Sequence, residues 1–187
     1  RFINRVMKIT PLRGPVDDAI SRLAATLVMK HVRPGSLLNF GVGLPEEVAR
    51  VLQKQRLHKE LVFSSETGMV GGLPAPGIFF GASVAPTRME SSAWVFHKYQ
   101  EALDVAVLGV LQVDSEGNVN VSKRGPRMLD MVGPGGLPDI TDSAKTIVFI
   151  GSWMAGAGFR IENGSVRMVR KGRQKFIEKV DEITFSG

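Results

Sequence analysis

A repeated order of strand, glycine turn and helix most restricts the folds that this sequence can adopt. Residues 36–40 (SLLNF) are typical of a short buried strand, a glycine turn (GVGLP) follows, and residues 46–55 then have helical spacing. The order begins again at residues 61–64 (LVFS), which lead into a glycine-rich loop. This alternation predicts an α/β fold in which an open parallel or mixed sheet is covered by helices.

Other segments fit the same fold class. Helical spacing predicts an amphipathic helix over residues 19–31, whose inward face holds Ile20, Leu23, Ala24, Leu27 and Val28. The almost continuously apolar run over residues 103–113 predicts a central strand that is buried on both faces. The remaining predictions are a buried strand over 146–151, a hairpin over 159–169 around Asn163-Gly164, a short helix around 175–179 and a strand over 182–187.

Composition excludes several classes of protein. No apolar run reaches the roughly 18 residues of a membrane span, so no membrane partner is expected. Cysteine is absent, which excludes disulfides and thiolate chemistry and favours the cytoplasm without deciding the compartment. The net charge of +6 favours anionic ligands such as a phosphorylated cofactor. The most basic stretch, residues 169–175, is interpreted as a solvated hairpin end, and no nucleic-acid partner is predicted.

The length of the chain and its lack of linker-like segments indicate one domain. The 187 residues contain no internal repeat, linker or low-complexity tract, so we predict a single domain over residues 1–187. The chain begins with Arg1 and shows no signal-peptide pattern, and we expect it to be part of a longer polypeptide.

The stretch FSSETGMVGG, residues 63–72, places one acidic residue, Glu66, directly after a predicted buried strand. In open α/β sheets, ligands gather at the carboxyl ends of strands, and the neighbouring glycines leave room for a ligand to approach. A carboxylate at this position suits a nucleophile or a general acid or base. On spacing alone, a helix N-cap or a hydrogen bond that orders the loop is an equal alternative.

Two further glycine clusters are candidate binding loops. Gly41 and Gly43 form half of a dinucleotide fingerprint, but Glu46 replaces the third glycine, which argues against NAD. These two glycines either offer backbone N–H groups to an anion at a helix start or form a plain tight turn. The loop over residues 132–139 (VGPGGLPD) either presents amide hydrogens to an oxyanion or is irregular and binds nothing.

Polar and aromatic residues elsewhere receive structural interpretations. Asn118 and Asn120 alternate along one predicted strand, so only one of them can face a site, and asparagine near a turn is usually structural. The histidines lack the spacing of metal ligands, and no metal site is predicted; they are His31, His58 and His97. The aromatic residues Trp94, Phe96 and Tyr99 are assigned to the core rather than to a cofactor site.

Six motifs in order resemble the carboxyl-terminal half of family I coenzyme A transferases, and most closely the acetate/propionate type. The motifs are NFGVGLPEEVA, SSETGMVGGLPAPG, FGASVAP, LDVAVLGVLQVDSEGNVNVSKRGPR, GGLPDITDSAKTIVF and EITFSG. The similarity extends roughly from Pro11 to Gly187, and the order and spacing of the motifs make it specific. It implies the NagB/RpiA/CoA-transferase-like fold, and a longer protein in which both halves lie on one polypeptide.

The resemblance also implies roles for particular residues. The catalytic glutamate of the family corresponds to Glu66, a backbone donor of its glycine loop to Gly135 or Gly136, and an asparagine near the glutamate to Asn120. Thr67 stands where many members have asparagine, which leaves the nucleophile intact and bears only on the fine substrate class. Pro134 replaces the Cys, Asn or Met of relatives and implies a stiffer loop.

The activity implied by the resemblance is transfer of coenzyme A between a short-chain acyl-CoA and a free carboxylic acid. In the family, this ping-pong reaction passes through an acyl-glutamyl anhydride and a glutamyl-CoA thioester. A glutamate is ordinarily ionised near pH 7, so its attack needs no general base. Coenzyme A is then a substrate, and no permanently bound cofactor is expected.

Two other functions remain open at this point: a non-catalytic ligand-sensing domain on the same fold, and a related acyl-CoA hydrolase. A sensor has no use for a reactive carboxylate, and a hydrolase would pass the acyl group to water. The expected partners are acyl-CoA, short-chain carboxylates, an amino-terminal CoA-transferase half and further copies in a homo-oligomer. The isolated chain is therefore expected to be inactive or feeble.

Overall fold

The computed structural model describes residues 13–187 of the chain. The helices are α1 (Pro15–Met29), α2 (Leu44–Lys54), α3 (Ser92–Ala102) and α4 (Leu137–Ser143). The strands are β1 (Leu37–Phe40), β2 (Val62–Ser64), β3 (Met69–Val70), β4 (Leu73–Pro74), β5 (Ser83–Val84), β6 (Arg88–Met89), β7 (Leu103–Gly109), β8 (Gln112–Val113), β9 (Val119–Asn120), β10 (Thr146–Ile150), β11 (Met154–Ala155), β12 (Gly158–Glu162), β13 (Ser165–Arg170) and β14 (Arg173–Gln174).

Contacts divide the described chain into two compact units. The first contains residues 13–109 and 139–150, and the second contains residues 110–138 and 151–187. Within this part of the chain, no helix has both the length and the apolar character needed to cross a membrane.

The first unit is built on a six-stranded sheet in the order β10-β7-β1-β2-β3-β6. Neighbouring strands from β10 to β2 are parallel, whereas β3 runs antiparallel to β2 and β6 antiparallel to β3. Leu38 and Phe63 lie opposite each other on β1 and β2, and both are buried. Parallel strands need cover on both faces, which explains their apolar sequences. This mixed sheet with its helices confirms the predicted fold class.

Helix α2 packs into the core as its spacing predicts. Its inward residues Val48, Val51 and Leu52 are at most 3% exposed. Pro45 lies within the first turn, where its missing N–H has no consequence. The helix begins immediately after Gly43, so the glycine turn places its amino-terminal end directly behind strand β1.

Helix α1 is present, but the predicted inward face is partly wrong. Leu23 is 72% exposed and Leu27 is 43% exposed, although both were expected inside. The buried face instead carries the smaller side chains of Ser21, Ala24, Ala25 and Val28. Small residues let the helix lie close to α2 and β10, which it contacts, and this rotates the two leucines outward.

The prediction of one strand over residues 103–113 is also wrong. Strand β7 ends at Gly109 in the first unit, and β8 begins at Gln112 in the second. Val105 and Val107 of β7 are fully buried, as expected for a strand covered on both faces. Val110 and Gln112 are buried as well. Because burial continues from β7 into β8, the apolar sequence does not show that the strand ends at Gly109.

The second unit consists of short antiparallel pairs. Strands β8 and β9 pair, as do β11 and β14, and β12 and β13 form a hairpin. The hairpin confirms the prediction from Asn163-Gly164, because both residues have positive φ angles of 50° and 75°. Two consecutive positive φ angles are the requirement of a type I′ turn, which matches the twist of the strands it joins.

The two predictions for the end of the chain are wrong. Residues 175–179 form no helix: Val113 N–H donates to Lys175 O over 2.8 Å and Ile177 N–H donates to Val113 O over 3.0 Å, which holds this segment extended beside β8. Residues 182–187 form only an isolated bridge, between Phe185 and Val119, instead of a regular strand. Both segments take their conformation from backbone partners more than 60 residues away, which local periodicity cannot detect.

Candidate active site

Glu66 lies on a tight turn between two strands of the main sheet. Strand β2 ends at Ser64, and the chain reverses through a turn in which Gly68 N–H donates to Ser65 O over 3.1 Å. Ser65 N–H then donates to Met69 O over 2.9 Å as β3 begins. Glu66 is half-buried at the tip of this turn. The carboxylate is therefore at the carboxyl end of a parallel strand, where ligands of α/β sheets gather.

The glycines around this turn are required by the backbone of the protein itself. Gly68 has a φ of 107°, and a Cβ at this residue would lie 1.9 Å from the carbonyl oxygen of Glu90. Gly72 has a φ of 73°, and its Cβ would lie 2.4 Å from the oxygen of Val84. The backbone of another segment therefore occupies the space into which a side chain at Gly68 or Gly72 would project.

Hydroxyl groups on either side of Glu66 attach the turn to a second loop. Ser65 Oγ donates to Gly81 O over 3.2 Å, and Thr67 Oγ1 donates to the same carbonyl oxygen. Ser65 Oγ and Thr67 Oγ1 also lie 2.8 Å apart, within hydrogen-bond distance. The residue before the glutamate and the residue after it are thus held by one acceptor, which restricts the position of Glu66 between them.

A buried chain of polar side chains lies at the ends of β1 and β2. Asn39 Nδ2 donates to Tyr99 Oη over 2.9 Å, and Ser64 Oγ donates to Leu38 O over 2.9 Å. The hydroxyl of Tyr99 lies 3.0 Å from Ser64 Oγ, and since the serine proton is already used, tyrosine is the donor in this contact. The oxygen of the same amide, Asn39 Oδ1, is buried and has no partner within residues 13–187.

The surroundings of Tyr99 disfavour its ionised form. Burial raises the pKa of Tyr99 to about 12, hydrogen bonds with Ser64 and Asn39 oppose this increase, and the negative charge of Glu66 adds to it. The negative charge of Glu66 therefore contributes to the raised pKa of the Tyr99 hydroxyl. The sequence placed Tyr99 in the core, which its complete burial confirms, but gave no sign of its polar partners.

This pKa predicts a loss of stability at alkaline pH. The unfolded chain loses the tyrosine proton near pH 10, whereas the folded chain keeps it to about 12. Between these values the unfolded state binds fewer protons, so the free energy of unfolding falls as pH rises, by about 2–3 kcal/mol in total. Denaturant unfolding of the chain from pH 8 to pH 12 measures this decrease.

Tyr99→Phe is the control for the alkaline loss, because it removes the titrating group and keeps the ring. The chain contains one tyrosine, so absorbance of the phenolate reports the titration of Tyr99 alone. Equal slopes of stability against pH in the two proteins, or a phenolate that forms near pH 10 in the folded chain, would contradict the predicted environment.

The amides of Gly41 and Gly43 already have protein partners. Gly41 N–H donates to Val107 O over 2.8 Å and so extends the pairing of β1 with β7. Gly43, with a φ of 93°, donates its N–H to Glu46 Oε1 over 3.0 Å at the start of α2. In this structure the two glycines shape the turn and begin the helix, and both N–H groups are bonded within the protein instead of being open to a ligand.

Asn120, in the second unit, is completely buried and uses both ends of its amide. Its Nδ2 donates to Gln112 Oε1 over 2.6 Å and to Lys123 O over 2.9 Å. Its Oδ1 accepts from Ser122 N–H over 3.1 Å and from Lys123 N–H over 3.0 Å. With its donors and acceptors used in this way, the side chain holds the turn after β9. The neighbouring Asn118 similarly bonds to Asp114.

The glycine loop before α4 differs from these two sites. Neither Gly135 N–H nor Gly136 N–H has a hydrogen-bond partner within residues 13–187. Gly135 is exposed, with a φ of 59°, and Gly136 is half-buried. These two amide hydrogens are therefore available to a ligand.

Within residues 13–187, the histidines belong to no group of candidate metal ligands. His97 Nε2 lies 3.1 Å from Glu101 on the exposed face of α3, and His58 Nδ1 is buried without a partner among the described residues. Across residues 13–187, no three side chains of the His, Cys, Asp and Glu types are grouped as ligands of a metal ion.

Comparison with known proteins adds sequence and fold relationships to this geometry. No protein-family model matches the chain. The caffeate CoA-transferase of Acetobacterium woodii is 38% identical over 170 residues, which cover 89% of this chain and 32% of that protein. The acetate CoA-transferase YdiF of Escherichia coli K12 is 34% identical over 181 residues, which cover 95% of this chain and 33% of that protein.

A solved structure shows the same relationship in three dimensions. The acyl-CoA transferase YdiF of Escherichia coli O157:H7, crystallised as a thioester complex with CoA, superposes with a TM-score of 0.76 at 30% identity. The match covers 94% of this chain and 32% of that one, so the chain spans about a third of the length of the relatives it matches. By sequence and by fold, this chain belongs to the coenzyme A transferase family.

Proposed function

We propose that this chain supplies the nucleophile of an enzyme that transfers coenzyme A between a short-chain acyl-CoA and a free carboxylic acid. The observation that carries the proposal is the placement of Glu66 on a restrained turn at the carboxyl end of β2. The identity of 34–38% to proteins named as CoA-transferases supports the same reaction class.

The reaction divides into two half-reactions that conserve the thioester bond energy. The Glu66 carboxylate attacks the acyl carbonyl, the C–S bond breaks, and coenzyme A leaves as a thiolate from an acyl-glutamyl anhydride. The thiolate then attacks the glutamyl carbonyl, which releases the first acid as a carboxylate and leaves a glutamyl-CoA thioester. An incoming carboxylate repeats the two steps in reverse, so that a new acyl-CoA departs and Glu66 is regenerated.

The residues around Glu66 fit such covalent catalysis. The nucleophile is a carboxylate, so proton removal by a neighbouring base is not needed, and no histidine has to stand beside it. The neutral state of Tyr99 keeps a second negative charge away from the attacking group. The thioester complex of the related YdiF supports a covalent thioester in this family.

Each attack places negative charge on a carbonyl oxygen, and backbone amides can stabilise it. We assign this role to Gly135 or Gly136, whose N–H groups have no partner in the described chain. Loss of one such donor typically costs about 2.7–4 kcal/mol of transition-state stabilisation. Because the polar groups of Asn120, Gly41 and Gly43 are bonded within the protein, we assign these residues to holding backbone instead of touching substrate.

The proposal extends to the rest of the protein. Since the chain covers about a third of its relatives, we propose that an amino-terminal half completes the site and that the isolated chain has little activity. Coenzyme A enters as a substrate and not as a permanently bound cofactor. Assembly as a homo-oligomer in the cytoplasm is the arrangement that we expect for the complete protein.

Chemical trapping tests the proposed nucleophile. We expect the full-length protein, incubated with acetyl-CoA and then treated with borohydride or hydroxylamine, to be modified at Glu66 and to lose activity in proportion. Peptide mass spectrometry identifies the modified residue. Omission of acetyl-CoA is the control, because a carboxylate that is not acylated reacts with neither reagent.

Three outcomes separate this proposal from its alternatives. Modification of a different residue would refute the role of Glu66. Binding of acyl-CoA without any modification would favour a ligand sensor. Modification at Glu66 followed by release of free acid in the absence of an acceptor carboxylate would favour an acyl-CoA hydrolase.

A further inference from the structure

The loop over residues 75–82 connects β4 to β5. The two strands pair antiparallel, with Leu73 opposite Val84, and Ala75 N–H donates to Ala82 O over 2.9 Å. The base of the loop is therefore closed by backbone hydrogen bonds. Its tip contains a short 3₁₀ turn, Gly77–Phe79.

Glu46 fixes the tip of this loop to helix α2. The residue is only 6% exposed. One of its oxygens, Oε1, accepts from Gly43 N–H over 3.0 Å, and the other, Oε2, accepts from Gly77 N–H over 3.1 Å. Burial of a carboxylate is unfavourable unless hydrogen bonds compensate for it, and here both oxygens have backbone donors. The carboxylate thus joins a helix start to a loop 31 positions further along the chain.

The other end of the loop is attached to the turn that carries Glu66. Gly81 O accepts from Ser65 Oγ over 3.2 Å and also from Thr67 Oγ1. The close approach is tight, because a Cβ on Gly81 would lie 2.6 Å from the methyl group of Thr67. Any displacement of the loop is therefore transmitted to the residues on either side of Glu66.

Two large apolar side chains project into solvent between these two attachments. Ile78 is 71% exposed and Phe79 is 51% exposed. Phe79 is two residues from Gly81, so their Cα atoms are at most about 7 Å apart. A loop held at both ends cannot turn these groups inward, so they stay available beside the turn of Glu66 for an apolar ligand.

We propose that Glu46 is a positioning residue that holds Ile78 and Phe79 as an apolar wall for the acyl group of the thioester. This inference rests on the proposed CoA-transfer function and names its substrate class: acyl-CoA whose acyl group is apolar and longer than acetyl. Contact with the wall favours longer acyl chains, because each buried methylene adds to the binding of the transition state. Glu46 contributes by fixing the loop and does not itself touch the reacting atoms.

Selectivity between two substrates tests the wall. The ratio of kcat/KM for butyryl-CoA to kcat/KM for acetyl-CoA is measured in the full-length protein, in Glu46→Gln and in Phe79→Ala. We expect each variant to lower this ratio by about 10-fold. Glutamine can accept from only one of the two amides, so the tip of the loop is released. The double variant should lower the ratio no further, because both changes remove the same wall.

Glu47→Gln is the matched control, because it removes a carboxylate from the same helical turn, where Glu47 pairs with Arg50 and not with the loop. Hydrogen exchange at residues 77–81 should accelerate in Glu46→Gln but not in Glu47→Gln. Equal decreases in kcat/KM for both substrates, with an unchanged ratio, would overturn the wall while leaving CoA transfer intact. Failure of the unmodified full-length protein to transfer CoA from either substrate would instead remove the proposed function, and the wall with it.

Discussion

Replacing Glu66 by glutamine is expected to lower kcat for CoA transfer by roughly 10⁴- to 10⁶-fold, the scale seen when a catalytic nucleophile is removed. The amide has almost the same shape, so the turn between β2 and β3 can form as before. Its nitrogen and neutral oxygen cannot open a thioester, and neither the anhydride nor the glutamyl-CoA thioester can arise. The measurement is the steady-state rate of CoA exchange between acetyl-CoA and propionate, catalysed by the full-length protein.

The control for this experiment is Glu60→Gln, the same substitution at an exposed residue just before β2. We expect this variant to retain its rate, and thermal unfolding of both variants shows whether folding is preserved. If Glu66→Gln is folded and keeps more than roughly a hundredth of the activity, the carboxylate does not act as the covalent nucleophile.

The second large effect is expected from Gly68→Ala. Alanine at a φ of 107° is strained, and its Cβ would lie 1.9 Å from Glu90 O, a backbone atom that cannot move by itself. Together, the backbone strain and the steric overlap should lower the free energy of unfolding by roughly 2–4 kcal/mol. Because relief of the overlap requires the turn to move, kcat should also fall in the molecules that remain folded. Denaturant unfolding and kcat per folded molecule are the two measurements.

Gly35→Ala separates the two contributions to this loss. Gly35 has a similar φ of 88°, but its Cβ would meet no atom within 4 Å. We expect this variant to be destabilised by about 1 kcal/mol, through backbone strain alone, and to keep its activity. Equal destabilisation of the Gly35 and Gly68 variants would mean that the approach of Glu90 does not constrain the turn.

The sequence predicted the parts of the fold whose burial repeats at a local period. Strands β1 and β10 and helix α2 appear within a few residues of the predicted ranges. Their patterns are clear because each buries a defined set of neighbouring residues against the sheet. The same reasoning is wrong for residues 103–113 and 175–179. In those segments, the conformation depends on where the backbone finds a distant partner.

The candidate site shows the same division. Glu66 was singled out from its position after a predicted strand, and the structure places it on a turn at that strand's end. The polar partners of Tyr99 were missed because Asn39 and Ser64 lie 60 and 35 positions away in sequence. The bond from Gly77 to Glu46 spans 31 positions, and nothing near either residue indicates it.

The sequence alone determined the order of strand, glycine turn and helix over residues 36–64 and the placement of one carboxylate at the end of a buried strand. Both follow from hydrophobic periodicity and turn chemistry, which act over a few residues. Only the tertiary structure decided why the glycines are needed and which polar groups remain available. A close approach such as that of Gly68 to Glu90, and the partner of a buried amide or carboxylate, arise when distant segments come within a few ångströms. Such contacts produce no periodic pattern in the sequence.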